Sequence, residues 1–131
     1  MADLTVGIEA IDAQHTKLLT LVAEIAVQGR TPGPGARHEE RLGALASKVQ
    51  EHFTTEGSLM RKHLFTGVEP HEEAHRSFLA TFAGLRQDLL AARESAPMTE
   101  RFEALVGGWL ELHIDGYDKV LARFLREKGE R

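Results

Sequence analysis

Residues 49–60, VQEHFTTEGSLM, decide how the chain is read. Val49, His52, Glu56 and Leu59 recur at intervals of three and four, the spacing that collects side chains on one face of a helix. His52 and Glu56 are ionisable, yet they occupy the stripe that a bundle helix turns inward. Burying an imidazole and a carboxylate costs free energy unless something satisfies them. Such a helix implies a buried partner that takes nitrogen and oxygen donors.

The same pattern extends outward in both directions. Leu42 and Leu45 continue the stripe upstream, and an earlier segment reads Ile11, His15, Leu18, Val22, Ile25. Downstream, His71 and His75 lead into Phe78, Phe82, Leu85 and Leu89. The last segment reads Phe102, Val106, Trp109, His113, then Val120 and Phe124. Breaks at residues 30–35, 66–70 and 94–97, rich in Gly, Pro and Ser or Thr, separate the four segments. No strand-type alternation lies between them. The expectation is all-α: an antiparallel up-down four-helix bundle, one domain over residues 1–131. Asp12 reads as the N-cap of the first helix, and Pro70 suits the first turn of the third.

The interior polar residues also share one level. His15 lies 18 residues before Gly33 and His52 lies 19 after it; His75 lies 20 before Ser95 and His113 lies 18 after it. Around the middle break the match is looser, with Glu56 11 before Gly67 and His71 and His75 4 and 8 after it. At roughly 1.5 Å of rise per residue, antiparallel helices bring all of them into one slab. His38 and His63 are in phase on the second helix but fall roughly 21 Å and 10 Å away along the axis, so they read as end-of-helix residues. Glu24 and Glu103 read as solvated or rim positions.

His52 with Glu56, and His71 with His75, are each four apart and project from one face. Neutral imidazole suits iron, zinc, copper and nickel. A further carboxylate from the fourth helix would bring the set to five imidazoles and two carboxylates. That is too many for one tetrahedral zinc, and it fits two ions with one coordination place open. From spacing, Glu111, Asp115 and Asp118 are comparable candidates for that carboxylate. Asp118 follows His113 by five residues, about 140° around an ideal helix. Both could face the centre if the helix loosened into a π-bulge, and Gly116 lies between them.

The remaining composition narrows the function. Without cysteine there is no disulfide, thiolate-held cluster or Cys nucleophile. A net charge of −4 argues against nucleic acid as a partner. No apolar run is long enough for a membrane span and no signal-peptide pattern opens the chain, so a cytoplasmic protein is expected. Two short motifs compete for the third helix. His71-Glu72-Glu73-Ala74-His75 matches the HExxH of zinc proteases, but that motif leaves His15, His52 and His113 unexplained. Glu72-x-x-His75 is half of the paired motif of ferritin-like di-iron proteins, and no second copy precedes another histidine.

Taken in order, the blocks resemble the bacterial hemerythrins, the bacteriohemerythrin or hemerythrin-like domain family. The resemblance runs from Val6-Gly7-Ile8 and Ile11-Asp12-x-Gln14-His15 through His52-Phe53-x-x-Glu56-x-x-Leu59-Met60 and His71-x-x-x-His75 to Trp109-Leu110-x-x-His113-Ile114-x-x-x-Asp118. It implies two iron ions bridged by an oxo or hydroxo group, with dioxygen as ligand. His71, His75 and His113 would hold one iron, and His15 and His52 the other, which keeps the open place. Glu56 and Asp118 would bridge both; the resemblance selects Asp118 over its neighbours. It further implies that Leu110, Ile114 and Trp109 wall a dry dioxygen pocket. Two departures stand out: Gly57 follows Glu56 where the family commonly has a second acidic residue, and residues 61–65 lack a Tyr-Pro turn.

The implied function is reversible dioxygen binding as a carrier, store or local supplier, not catalysis. An oxygen-using enzyme or redox partner would be its client. A di-iron sensor of oxygen or redox state, and an enzyme acting on peroxide or nitric oxide, are the alternatives. No signalling domain follows the last helix before Arg131, which favours the carrier.

Overall fold

A computed structural model describes residues 3–30, 36–91 and 95–131 of the 131-residue chain. The first break proposed from sequence falls largely outside the described residues. Helices α1 (Glu9–Arg30), α2 (Ala36–Lys62) and α3 (Val68–Ala91) are followed by a fourth rod in three parts. These are α4 (Ala96–His113), a π-helical turn (Ile114–Asp118) and α5 (Lys119–Glu127). His113 and Lys119 keep right-handed helical angles at the two joints, so the rod is continuous. Helix α1 packs on α2 and α4, and α3 packs on the same two, closing a four-membered ring. No strand occurs among the described residues, and none of their helices is long and apolar enough to cross a membrane.

Two apolar clusters fill the ring. One includes Leu18, Val22, Val49, Phe53, Phe78, Phe102 and Leu110; the other includes Ile8, Ile11, Met60, Ile114, Leu121 and Leu125. Each fully buried Leu, Ile or Phe stabilises the fold by roughly 1.5–3 kcal/mol. Along α1, α2 and the fourth rod, the buried histidines and carboxylates lie between members of the two clusters. The polar slab therefore has an apolar plug on either side.

Local chemistry sets the helix ends. The Ser95 hydroxyl accepts the Met98 N–H at the start of α4, where a proline occupies the first turn. Between α2 and α3 the chain reverses through Leu64, whose φ of 57° is left-handed, and the Phe65 N–H donates to the Met60 carbonyl at 2.9 Å. A side chain at Gly67 would meet the Phe65 ring at 2.8 Å, so any larger residue there would push that ring aside. Pro70 sits in the first turn of α3, as expected.

Two expectations need correction. Asp12 is not the N-cap of α1, which begins at Glu9. It lies in the first turn, and its carboxylate reaches back to accept the Val6 and Gly7 N–H groups at 2.8 and 3.1 Å. Val120 is 62% exposed, and the buried positions beyond His113 are Ile114, Asp118, Leu121, Ala122 and Leu125. The π turn is the physical reason. It inserts one extra residue into the helical count, so a stripe extrapolated at an unbroken 3.6-residue period leaves the core after His113.

Candidate metal centre

The seven ligand candidates, His15, His52, Glu56, His71, His75, His113 and Asp118, are all at most 5% exposed, and both carboxylates are at 0%. Their donor atoms fall into two groups, each within 4.8 Å: Glu56, His71, His75, His113 and Asp118 in one, His15, His52, Glu56 and Asp118 in the other. Glu56 and Asp118 belong to both. Asp118 divides its oxygens between the groups. Oδ2 is 2.8 Å from His15 Nε2, while Oδ1 is 3.1 Å from both His71 Nε2 and His113 Nε2. Glu56 Oε1 lies 3.1 Å from His75 Nε2, 3.3 Å from His71 Nε2 and 3.5 Å from His52 Nε2.

The π turn is what admits Asp118. Of the three candidates on the fourth rod, Glu111 and Asp115 are exposed, and Asp115 pairs with Lys119 at 2.9 Å. The extra residue swings Asp118 onto the face of His113. Gly116 takes no positive φ and would find no obstacle to a side chain, so the turn does not depend on glycine. His63 lies beyond the end of α2, 3.9 Å from Glu130 and outside both groups. The side chain of His38 lies outside the described residues. Glu24 is exposed and Glu103 half-buried, in keeping with solvated or rim positions.

The electrostatics fit cations. Burial lowers the His52 pKa, and burial with the neighbouring His71 and His113 depresses His75 to about 2, so these imidazoles are neutral and able to ligate. Burial also pushes the Glu56 carboxyl well above its usual range, reinforced by Asp118. For Asp118 burial acts upward, but the imidazoles of His113, His15, His52 and His71 gathered around it outweigh burial and hold the carboxyl well below the usual range. His15 Nε2 faces His52 Nε2 at 3.1 Å, and His75 Nε2 faces His113 Nε2 at 3.1 Å. Glu56 Oε2 and Asp118 Oδ1 are buried without a hydrogen bond. Opposed ring nitrogens and orphaned carboxylate oxygens are costly on their own and become ligands around positive charge.

The outer supports differ between the groups. Phe53 stacks on His75 at 3.7 Å and 7°, and Trp109 on His113 at 4.5 Å and 12°. Tyr117 also lies nearly parallel to His113, at 5.1 Å and 17°. In the other group, His52 Nδ1 meets Gln14 Oε1 at 2.8 Å. Leu110 and Ile114 are buried, one in each apolar cluster, and Trp109 is half-buried against the first. Sequence reasoning missed Phe53, Tyr117 and Gln14 as supports. Tyr117 was findable, since it follows His113 by four residues. Gln14 carries no phase signal toward His52, on another helix.

Glu72, the acid of the HExxH match, faces away from the centre. Its Oε1 accepts from Arg61 Nη1 at 2.6 Å. The pair lies close over Gly57: a Cβ there would be 3.0 Å from Arg61 and 3.2 Å from Glu72.

Comparison with known proteins places the chain by family and fold. Residues 6–125 match the family model described as the hemerythrin HHE cation binding domain. A bacteriohemerythrin of Stenotrophomonas maltophilia (strain R551-3) is 25% identical over 120 residues, covering 92% of this chain and 76% of that protein. A myohemerythrin of Riftia pachyptila is 27% identical over 113 residues, covering 86% and 81%. A crystal structure of wild-type hemerythrin shares the fold with a TM-score of 0.78 at 24% identity, over 92% of this chain and 90% of that one.

Proposed function

The chain belongs to the hemerythrin family, and from that premise we propose that it binds dioxygen reversibly at two iron ions, as a carrier, store or local supplier. The observation that carries the reading is the division of Asp118, one oxygen toward His15 and the other toward His71 and His113, inside a wholly buried ring of imidazoles. In this reading His71, His75 and His113 hold one ion, His15 and His52 hold the second, and Glu56 and Asp118 span both. A bound iron pair supplies the two electrons that dioxygen takes up on binding and returns on release.

The protein's part is to hold that centre and keep it dry. Neutral imidazoles leave the site less anionic than a carboxylate-rich one, which disfavours onward oxidation. Leu110, Ile114 and Trp109 wall the open place and exclude water and the protons it would deliver. Residues 1–131 act as one domain, and its place of work is the cytoplasm.

Metal analysis and absorption spectra test this, taken in air, after anaerobic reduction and after air is readmitted. Two irons per chain, with a charge-transfer band that disappears on reduction and returns with oxygen, are expected. Irreversible oxidation would retain the metal site and favour a sensor or an enzyme on peroxide or nitric oxide. Absence of iron from protein grown with ample iron would overturn the reading.

A further inference from the structure

Three of the ligand imidazoles, His15, His71 and His113, have a buried Nδ1 with no hydrogen-bond partner. His52 differs. Its Nδ1 lies 2.8 Å from Gln14 Oε1, Gln14 Nε2 donates to Thr55 Oγ1 at 3.0 Å, and Thr55 Oγ1 donates to the Glu51 carbonyl at 3.0 Å. The chain therefore starts on the helix that carries His52, crosses to α1 and returns to the ligand.

The direction of every proton in this chain follows from its end. A hydroxyl has one proton, and here the Glu51 carbonyl receives it, so Thr55 Oγ1 is left to accept. It accepts from the Gln14 amide nitrogen, which turns the amide oxygen toward His52. An amide oxygen can only accept, so His52 Nδ1 must carry the ring proton. The reversed amide would draw the Thr55 proton away from Glu51 and make two bonds in place of three. The inner side agrees. His15 Nε2 has Asp118 Oδ2 as its acceptor at 2.8 Å, so it is the donor there and offers His52 Nε2 no lone pair to bond.

We infer that Gln14 and Thr55 are positioning residues that lock His52 as its Nδ1–H tautomer, aiming the Nε2 lone pair into the centre before any ion arrives. Neither touches the centre itself; Thr55 acts on His52 through Gln14. The consequence for iron rests on the proposed function, whereas the tautomer belongs to the metal-free chain. A ligand imidazole held through its outer nitrogen is pre-set in ring orientation, and loss of such a partner typically weakens metal binding by about 10- to 100-fold.

The test is nitrogen NMR of the histidine rings in uniformly labelled, metal-free protein at neutral pH, on wild type, Gln14→Leu, Gln14→Glu, Thr55→Val and Thr55→Ser. Wild-type His52 should show a protonated Nδ1 and an unprotonated Nε2. Gln14→Leu and Thr55→Val should shift its two nitrogens toward averaged values. Gln14→Glu, which keeps an acceptor, and Thr55→Ser, which keeps the hydroxyl, should retain the wild-type pattern. Gln14 and Thr55 are half-buried, and circular dichroism checks that each variant is folded. Anaerobic iron(II) titration then reads the second effect: Gln14→Leu should weaken one of two binding events by roughly 10- to 100-fold and leave the other unchanged. A wild-type His52 protonated at Nε2, or a folded Thr55→Val with unchanged shifts, overturns the lock. If wild type shows the Nδ1–H form yet takes up no iron, the lock stands and the dioxygen reading fails.

Discussion

The two halves of the buried centre are built by different physics. The His71, His75 and His113 half is braced by flat aromatic contact, from Phe53 on His75 and from Trp109 and Tyr117 on His113. The His15 and His52 half instead has a directional hydrogen bond, from His52 Nδ1 to the Gln14 amide oxygen. Stacking confines the plane of an imidazole but not its proton, because a ring face is indifferent to the tautomer. A hydrogen bond to Nδ1 does specify the proton, and it contributes little buried area. The halves should therefore fail differently: one loses stability when disturbed, the other loses definition.

The largest expected effect removes what both halves share. Stripping iron by chelation under reducing conditions should lower the melting temperature by about 10 °C or more, since an ion that binds only the folded state stabilises it. Equal calorimetric midpoints for the two forms would mean that no ion fills the core. Glu56→Leu breaks both groups at once, because Glu56 belongs to each. Metal analysis should show iron content falling close to zero. The metal-free variant should be at least as stable toward urea as metal-free wild type, because a buried carboxyl has been replaced by an apolar group.

The comparison sharpens with single-half variants. Phe53→Ala opens a cavity beside His75 and should cost about 3–5 kcal/mol in urea denaturation of the metal-free protein. Gln14→Leu should cost about 1 kcal/mol or less there. Similar costs for the two would erase the distinction between the halves. Leu110→Ala should cost about 2–5 kcal/mol through its cavity and shorten the life of the oxygenated form, read as decay of its visible band. An unchanged lifetime would remove Leu110 from the dioxygen pocket.

A separate effect lies in the pH dependence of the metal-free chain. His75 is held at about 2, below its ordinary 6.5, so the unfolded state binds a proton that the folded state does not. That contribution is complete above about pH 6.5 and is lost as pH falls toward 2. Glu56 is shifted upward and contributes with the opposite sign, being stabilising at low pH and lost as pH rises. Urea midpoints in a Glu56→Gln background should therefore fall steadily below about pH 6.5, and a flat profile would contradict a neutral, buried His75.

The legibility of the site followed the reach of helical periodicity. His15, His52, Glu56, His71, His75 and His113 were found because each sits in phase with apolar neighbours on its own helix, and the fold followed from the same stripes. Spacing does not select Asp118, and it places Val120 inside, for the same reason: a π turn changes the count without announcing itself in composition. Phe53, Tyr117 and the Gln14–Thr55 bridge were missed as supports for the same kind of reason. What a side chain touches across a helix pair depends on rotation and separation of the rods, which no periodicity along one helix contains.

By itself, then, the sequence determined that four amphipathic helices must bury one layer of imidazole and carboxylate. Period and offset are properties of a chain, and desolvation cost makes a polar stripe demand partners. Only the tertiary structure decided which carboxylate of the fourth rod turns inward, how Asp118 divides its two oxygens, and which histidine has its proton assigned by a neighbour. Those outcomes depend on a few ångströms and one inserted residue, quantities set by packing between helices rather than by the order of residues within them.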